Sequence, residues 1–414
     1  MNTHTKNIPK LRFHKFSKEW QKKQIGDVLL RVSIPVKVDN LTFYRQIGIR
    51  SHGKGIFHKE AVTGATLGNK RVFWIKPDLF VLNIVFAWEQ AIAKTTMNEK
   101  GMIASHRFPM YSPNEHYLLD YIFYFFLTKK GKNLLGLASP GGAGRNKTLG
   151  QKNFEELYIF IPKNEEQEEI VGFLAAIDEK IVALVKKVEL LKKYKKGVMQ
   201  KIFSQQIRFK DETGEEFSKW EKKKFGDIYE FLKTNSFSRA MLQDSGEIKN
   251  IHYGDIHTKL SSNFDSAKES IAYLSSKNDS DYCQPGDLII ADASEDRKDA
   301  GKSIEIIDTH GEKIVAGLHT FLARPHNGIE IGFSGYFMQC NQLRRQLWRI
   351  ATGASVLGIS KTELAKFLVT LPSKKEQQKI VDILTSIDAK IQLEERKLVQ
   401  AKKFKKSLLQ QMFV

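Results

Sequence analysis

The residues best placed for chemistry here are two glycine-rich stretches. Gly141-Gly142-Ala143-Gly144-Arg145-Asn146-Lys147-Thr148 has the glycine content of a loop that wraps phosphate. Such a nucleotide-binding loop needs glycine directly before its lysine, so that the backbone can close on the phosphates, and Asn146 stands there. The second stretch, Gly353-Ala354-Ser355-Val356-Leu357-Gly358-Ile359-Ser360, keeps that glycine but has Ile359 where the lysine must be. Neither is expected to bind ATP. The first remains either a loop whose Arg145 and Lys147 approach a nucleic-acid backbone or a plain connection. Asp178-Glu179-Lys180 and Asp388-Ala389-Lys390 mimic half of a nuclease site. No second acidic residue precedes them in a strand context, so they read as solvated charge on a helix. The chain also lacks an Asp/Asn-Pro-Pro-aromatic tetrapeptide and a G-x-G-x-x-G after a strand. Cys283 and Cys340 are too few and too far apart for a disulfide framework, and His252 and His257, five apart, do not have metal-ligand spacing. Nothing recognisable supports methyl transfer, hydrolysis or metal binding, which leaves binding as the function to look for.

Charge says what would be bound. The net charge of the 414 residues is +19. Residues 1–155 hold 25 Lys and Arg against 10 Asp and Glu, whereas 208–369 hold 22 against 24. A basic excess on one region suits a polyanion, because neutralising phosphates releases counterions; a merely soluble basic surface is the plainer alternative. In the first region Arg50, His52 and Lys54 sit among glycines in Gly48–Gly55, a tight loop able to present side chains to a groove. Lys70, Arg71, Arg145 and Lys147 complete the candidate DNA contacts there. In the second region the candidates are Arg239, Arg297, Lys298, Arg344 and Arg345, arginine being suited to guanine edges and phosphates. For single residues the alternatives are a basic hairpin tip or, around Arg344, Arg345 and Arg349, a solvated helix face. No apolar run is long enough for a membrane span and no signal peptide is evident, so a cytoplasmic protein is expected. The apolar Tyr117–Leu127 stretch reads as a buried helix.

These candidates have to be held by something, and the sequence repeats its own framework. Residues 162–203 return at 372–413 with a constant offset of 210: Pro162 and Pro372, Glu166-Gln167 and Glu376-Gln377, Ile177-Asp178 and Ile387-Asp388, Gln200 and Gln410. Trp20, Gly26 and Asp27 return as Trp220, Gly226 and Asp227. The apolar slots run Ile170, Leu174, Ile177, Ile181, Leu184, Val188, Leu191 and, in the second copy, Ile380, Leu384, Ile387, Ile391, Leu398, Leu408. Steps of four and three make a heptad seam and predict two long helices. Lys195, Lys405 and Glu394 occupy seam slots and are expected to fix register at some cost in stability. So long a seam needs a partner. The economical one is the other copy in the same chain, lying antiparallel; an intermolecular coil is the alternative.

Two variable regions alternating with two tracts of the form Pro…Glu-Gln-x-x-Ile-Val…Leu…Ile-Asp-x-Lys-Ile resemble the specificity subunit of type I restriction-modification enzymes. Phe13…Phe16…Trp20…Ile25-Gly26-Asp27-Val28, Leu157–Pro162 and Pro285-Gly286-Asp287-Leu288-Ile289 add to the likeness, which covers essentially the whole chain. The resemblance implies an α+β fold with a pseudo-two-fold internal repeat. Target recognition domains at 1–155 and 208–369 would each read one half of a split sequence in double-stranded DNA. Helical spacers at 156–207 and 370–414 would pair as an intramolecular antiparallel coiled coil. It also implies a chain without catalysis or cofactor of its own. Two methyltransferase subunits would bring S-adenosylmethionine, and two motor-nuclease subunits, held through them, ATP and magnesium. The slightly acidic second region, 22 Lys and Arg against 24 Asp and Glu, departs from a uniform basic footprint. A stand-alone sequence-specific DNA-binding regulator is the competing reading.

Overall fold

The computed structural model describes residues 7–141, 147–275 and 279–414. The repeated tracts form two uninterrupted helices, α1 (Asn164–Phe203) and α2 (Lys374–Gln411), of 40 and 38 residues. Each begins two residues after its proline, which holds the entry extended. The chain divides into two compact units that share out both helices: Met1–Val185 with Arg396–Val414, and Lys186–Glu395.

The first unit has two four-stranded sheets. One orders Leu29–Val32, Met110–Pro113, Phe80–Leu82 and Ile92–Lys94; the other orders Ile56–Thr63, Phe43–Ile49, Ile103–Ser105 and Val72–Trp74. The helix Leu119–Leu127 buries Tyr121, Ile122, Phe125 and Phe126 beneath them, as its apolar run requires. That core continues into both helices through Ile170, Leu174, Leu408 and Met412.

The second unit repeats this plan. Tyr229–Leu232, Thr320–Pro325, Leu288–Ala291 and Ser303–Asp308 follow the first sheet's order, with Asn263–Asp265 added at the edge. Ile248–Ile251 runs parallel to Lys313–Ala316, as Phe43–Ile49 does to Ile103–Ser105. Its core takes in Phe203, Trp220, Phe333, Leu347, Ile380, Leu384, Ile387 and Ile391. Of the remaining seam positions, Leu184 and Val188 are buried, and Ile177, Ile181, Leu191 and Leu398 are half-buried.

Each unit is closed by the same clasp. In the first, Gln21–Gln24 pairs antiparallel with Tyr158–Ile161, and the Arg12 guanidinium donates to both oxygens of Glu166 at 2.7 and 2.8 Å. Trp20 Nε1 donates to the same carboxylate at 3.2 Å. Gln167 turns back to Pro162 O at 2.9 Å and accepts from Leu118 N. In the second, Glu221–Lys224 pairs with Leu368–Leu371, and Glu376 takes Arg208 and Trp220 Nε1 at 2.9–3.1 Å. Gln377 turns back to Pro372 O and accepts from Glu330 N. The repeated Glu-Gln pair is therefore a buried socket for an arginine and a tryptophan.

The antiparallel register shows inside each unit. Lys405 lies against Asp178 in the first, while Lys195 meets Asp388 at 2.7 Å and Lys187 meets Glu394 at 3.0 Å in the second. Tyr124 donates to Asp178 and Tyr336 to Asp388, both at 2.8 Å. Asp178 and Asp388, which the sequence suggested were solvated charge, are instead half-buried partners of the seam lysines. Pairing converts a polar intrusion into a register mark, because a one-turn slip would strand both members.

Candidate DNA-recognition surfaces

In the first unit, three loops leave the sheets at one end and are hydrogen-bonded to one another. Loop 50–55 joins Phe43–Ile49 to Ile56–Thr63, with His52, Gly53 and Gly55 all at positive φ. Its tip is pinned to the 83–91 turn, His52 N to Glu89 O and Gly53 N to Gln90 O, both at 2.8 Å. That turn reaches the 106–109 turn through Ile84 N to Arg107 O at 3.0 Å, and Leu149 N donates to Ile84 O at 2.8 Å. His106 N in turn donates to Arg71 O at 3.1 Å.

The consequence is a gathered set of cations. Arg50, His52, Lys54, Lys70 and Arg71 are exposed, and Lys147 is half-buried with its ammonium 5.7 Å from the Trp88 ring. Arg50 lies 4.9 Å from the Phe57 ring and donates to Ile56 O. Phe57 in turn covers Gly48, where a Cβ would fall 2.2 Å from the ring. Arg145 lies outside the described residues. His106 and Arg107 are also exposed at this end. No motif marks them; only the parallel pairing of two strands far apart in sequence brings them here.

The equivalent loops of the second unit follow Ile248–Ile251, Leu288–Ala291 and Lys313–Ala316, and they converge in the same way. Gly317 N donates to Ile251 O at 2.9 Å, Tyr253 N to Leu318 O at 3.4 Å and Asp292 N to His319 O at 3.1 Å. The glycine-rich stretch joins them: Leu357–Gly358 pairs antiparallel with Ala293–Ser294, and Ile359 N donates to Asp292 O. Gly353 takes φ 136°, a conformation that only glycine adopts without strain. So the failed phosphate loop is a structural part of the loop end.

Its chemistry differs from that of the first unit. The Tyr253 ring is ringed by His252, His257 and His319, with centroids at 4.5, 6.1 and 5.4 Å. His257 Nε2 donates to Ala293 O, and the Asp292 carboxylate lies 3.2 Å from His319 Nδ1. Burial raises the Asp292 pKa against the pull of His319, and burial together with Arg239 lowers that of His252. Arg239 crosses Gly254 to face Asp255 at 3.5 Å. Arg297 and Lys298 are exposed on the 292–302 loop. Among the described residues, no group of three or more His, Cys, Asp and Glu is arranged to hold a metal, and no helix is long and apolar enough to cross a membrane.

Two arginines that the sequence joins are separated by the helix Asn341–Ile350. Arg344 donates to the carbonyls of Gly301, Ala300 and Lys298, so its guanidinium is committed to holding the 298–301 backbone; burial also lowers its pKa. Arg345, about 100° further round the helix, lines a cavity with the end of α1 instead.

The model of the type I restriction modification DNA specificity domain matches residues 17–193 and again 217–403. The chain belongs to this family. It is 22% identical to the type I restriction enzyme MjaVIII specificity subunit of Methanocaldococcus jannaschii, over 97% of this chain and 94% of that one. It is also 22% identical to the putative MjaX specificity subunit of the same organism, over 72% of this chain and 68% of that one. Among solved structures, the HsdS subunit of Thermoanaerobacter tengcongensis has a TM-score of 0.52 at 17% identity, covering 95% of this chain and 96% of that one. The type I S subunit from M. genitalium has 0.54 at 14%, covering 98% and 99%. As a specificity subunit, the chain is the DNA-recognition component of a type I restriction-modification system and is not catalytic by itself.

Proposed function

We propose that this specificity subunit reads a split, asymmetric target in double-stranded DNA, one half with each loop end. Arg50, His52, Lys54, Lys70, Arg71, Arg145 and Lys147 serve the first half-site, joined by His106 and Arg107. Arg239, Arg297 and Lys298 serve the second, joined by Tyr253, His257 and His319. Arg344 is left out because three of its N–H groups already hold the 298–301 backbone, and Arg345 because it lines the cavity. The observation that carries the reading is the duplicated convergence of three loops at one end of each unit, cationic in the first and holding one tyrosine among three histidines in the second. Rigid strands fixing exposed loops is how binding surfaces are commonly built.

The two long helices, with their entries at 156–163 and 370–373, act as spacers and docking elements for two methyltransferase subunits, and through them for two motor-nuclease subunits. Those partners supply S-adenosylmethionine, ATP and magnesium in the cytoplasm. A chain described as part of complex assembly of a type I restriction-modification system covers 96% of this one with a TM-score of 0.62, which supports an assembling role. The test is methylation-site sequencing of a host carrying the methyltransferase subunit with this chain. A bipartite motif is expected, and substitution in one loop end should change one half only. If one substitution alters both halves, the one-unit-one-half assignment fails. A purified chain that methylates DNA unaided would overturn the dependence on partners.

A further inference from the structure

The second unit carries a cavity of about 700 Å³ between the end of α1 and the helix Asn341–Ile350. Lys201, Arg345 and Arg349 line it, with side-chain amides from Gln200, Gln206, Asn341, Gln342 and Gln346. None of the three cations has a carboxylate within ion-pair distance among the described residues. Gln200 Oε1 accepts from Asn341 N at 3.2 Å, which fixes the helix start against α1. The first unit repeats that cap at offset 210: Gln410 Oε1 accepts from Lys129 N at 3.0 Å, beside exposed Lys130 and Lys132.

We propose that this cavity is the docking site for an acidic peptide segment of the methyltransferase subunit, with an exposed cationic counterpart at Lys129, Lys130 and Lys132. The proposal rests on the assembly reading above and deepens it by naming where and what the partner inserts. Three uncompensated cations in a concavity call for an anion that enters, because bidentate and amide-assisted contacts to carboxylates are strongest when partly desolvated. The amides favour a peptide over DNA. Each can donate to and accept from an inserted main chain, whereas a phosphodiester offers acceptors only. Shape agrees, since a duplex is convex and suits loops better than a cleft. The duplicated glutamine cap matches a partner that meets the chain twice.

The test uses the full chain and the purified methyltransferase subunit of the same system. R345E/R349E is expected to weaken their association at least tenfold, with circular dichroism, melting temperature and preference for cognate over scrambled DNA unchanged. R345Q/R349Q, which keeps size and polarity, should give a smaller loss and guards against misfolding of the reversal. Unchanged association for both variants overturns the proposal. So does a loss of DNA affinity with intact association, which would make the cavity a phosphate site. Failure of the unsubstituted chain to associate would instead overturn the assembly reading itself.

Discussion

The two loop ends share a frame and differ in content. Both rise from the same strand order, and both are tied by backbone hydrogen bonds among three loops. The first presents exposed arginines and lysines; the second presents a tyrosine among three histidines, with a half-buried aspartate. Position is thus set by the sheets and chemistry by the loops, so one scaffold can present unrelated surfaces. A strongly basic end attracts any duplex. A nearly neutral end must rely on local, directed contacts.

The sharpest test of the shared frame is the clasp. Glu376 has no exposed side-chain surface and Glu166 only 4%, so removing either arginine strands a buried carboxylate. Arg12→Ala and Arg208→Ala should each cost about 3–5 kcal/mol in denaturant unfolding. A large cost in one unit and none in the other would mean that the two clasps are not equivalent.

The difference in content can be read from salt dependence. Lys54→Ala/Lys70→Ala/Arg71→Ala should flatten the slope of log affinity against log salt by up to about three, since each lost phosphate contact contributes about 0.9. All sequences should weaken alike. Arg239→Ala/Arg297→Ala/Lys298→Ala should cost less on random DNA and more on the second half-site. Equal slopes for the two triple variants, in competition binding with cognate and scrambled duplexes, would erase the proposed division.

Seam pairing comes next in size. Lys195→Ala leaves Asp388 with the Tyr336 hydroxyl, and Lys405→Ala leaves Asp178 with Tyr124. About 1–2 kcal/mol each is expected, because the hydroxyl still answers the carboxylate. Double variants that also change Asp388 or Asp178 to Ala should recover part of the loss; additive costs would show that the pairs do not interact.

Two buried titrating groups of the second unit set a pH dependence of stability. Burial holds His252 below its ordinary 6.5, so the unfolded chain binds more protons there, and stability falls as pH drops through that value. Burial pushes Glu305 up to about 8, so the folded state holds the extra proton, and stability falls as pH rises from 4.5 towards 8. Each slope is at most about 1.4 kcal/mol per pH unit. His252→Gln should flatten the acid limb and Glu305→Gln the alkaline limb of a pH series of unfolding midpoints. An unchanged limb would remove that group from the balance.

The long helices were legible in the sequence because heptad spacing is local information. So were the lysines in the seam, but not their partners: antiparallel register sets Asp178 against Lys405, 227 residues away. The meaning of Glu166-Gln167 was hidden for the same reason, since Arg12 lies 154 residues upstream. Arg50, His52 and Lys54 stood out through their glycines. His106, Arg107, Tyr253 and His319 did not, because only strand order brings them to the loop ends. Neighbouring Arg344 and Arg345 were indistinguishable until the helix turned them to different sides.

The clasp has one further implication. Everything between the entry arginine and tryptophan and the Glu-Gln socket is bracketed by fittings that are the same in both units. Replacing the residues between Trp20 and Leu157 with those between Trp220 and Phe367 would exchange one set of loops for the other while the plug and its socket stay matched. The molecule is in that sense a holder with two standard mounts, and new recognition can arise by refilling a mount without redesigning what it plugs into.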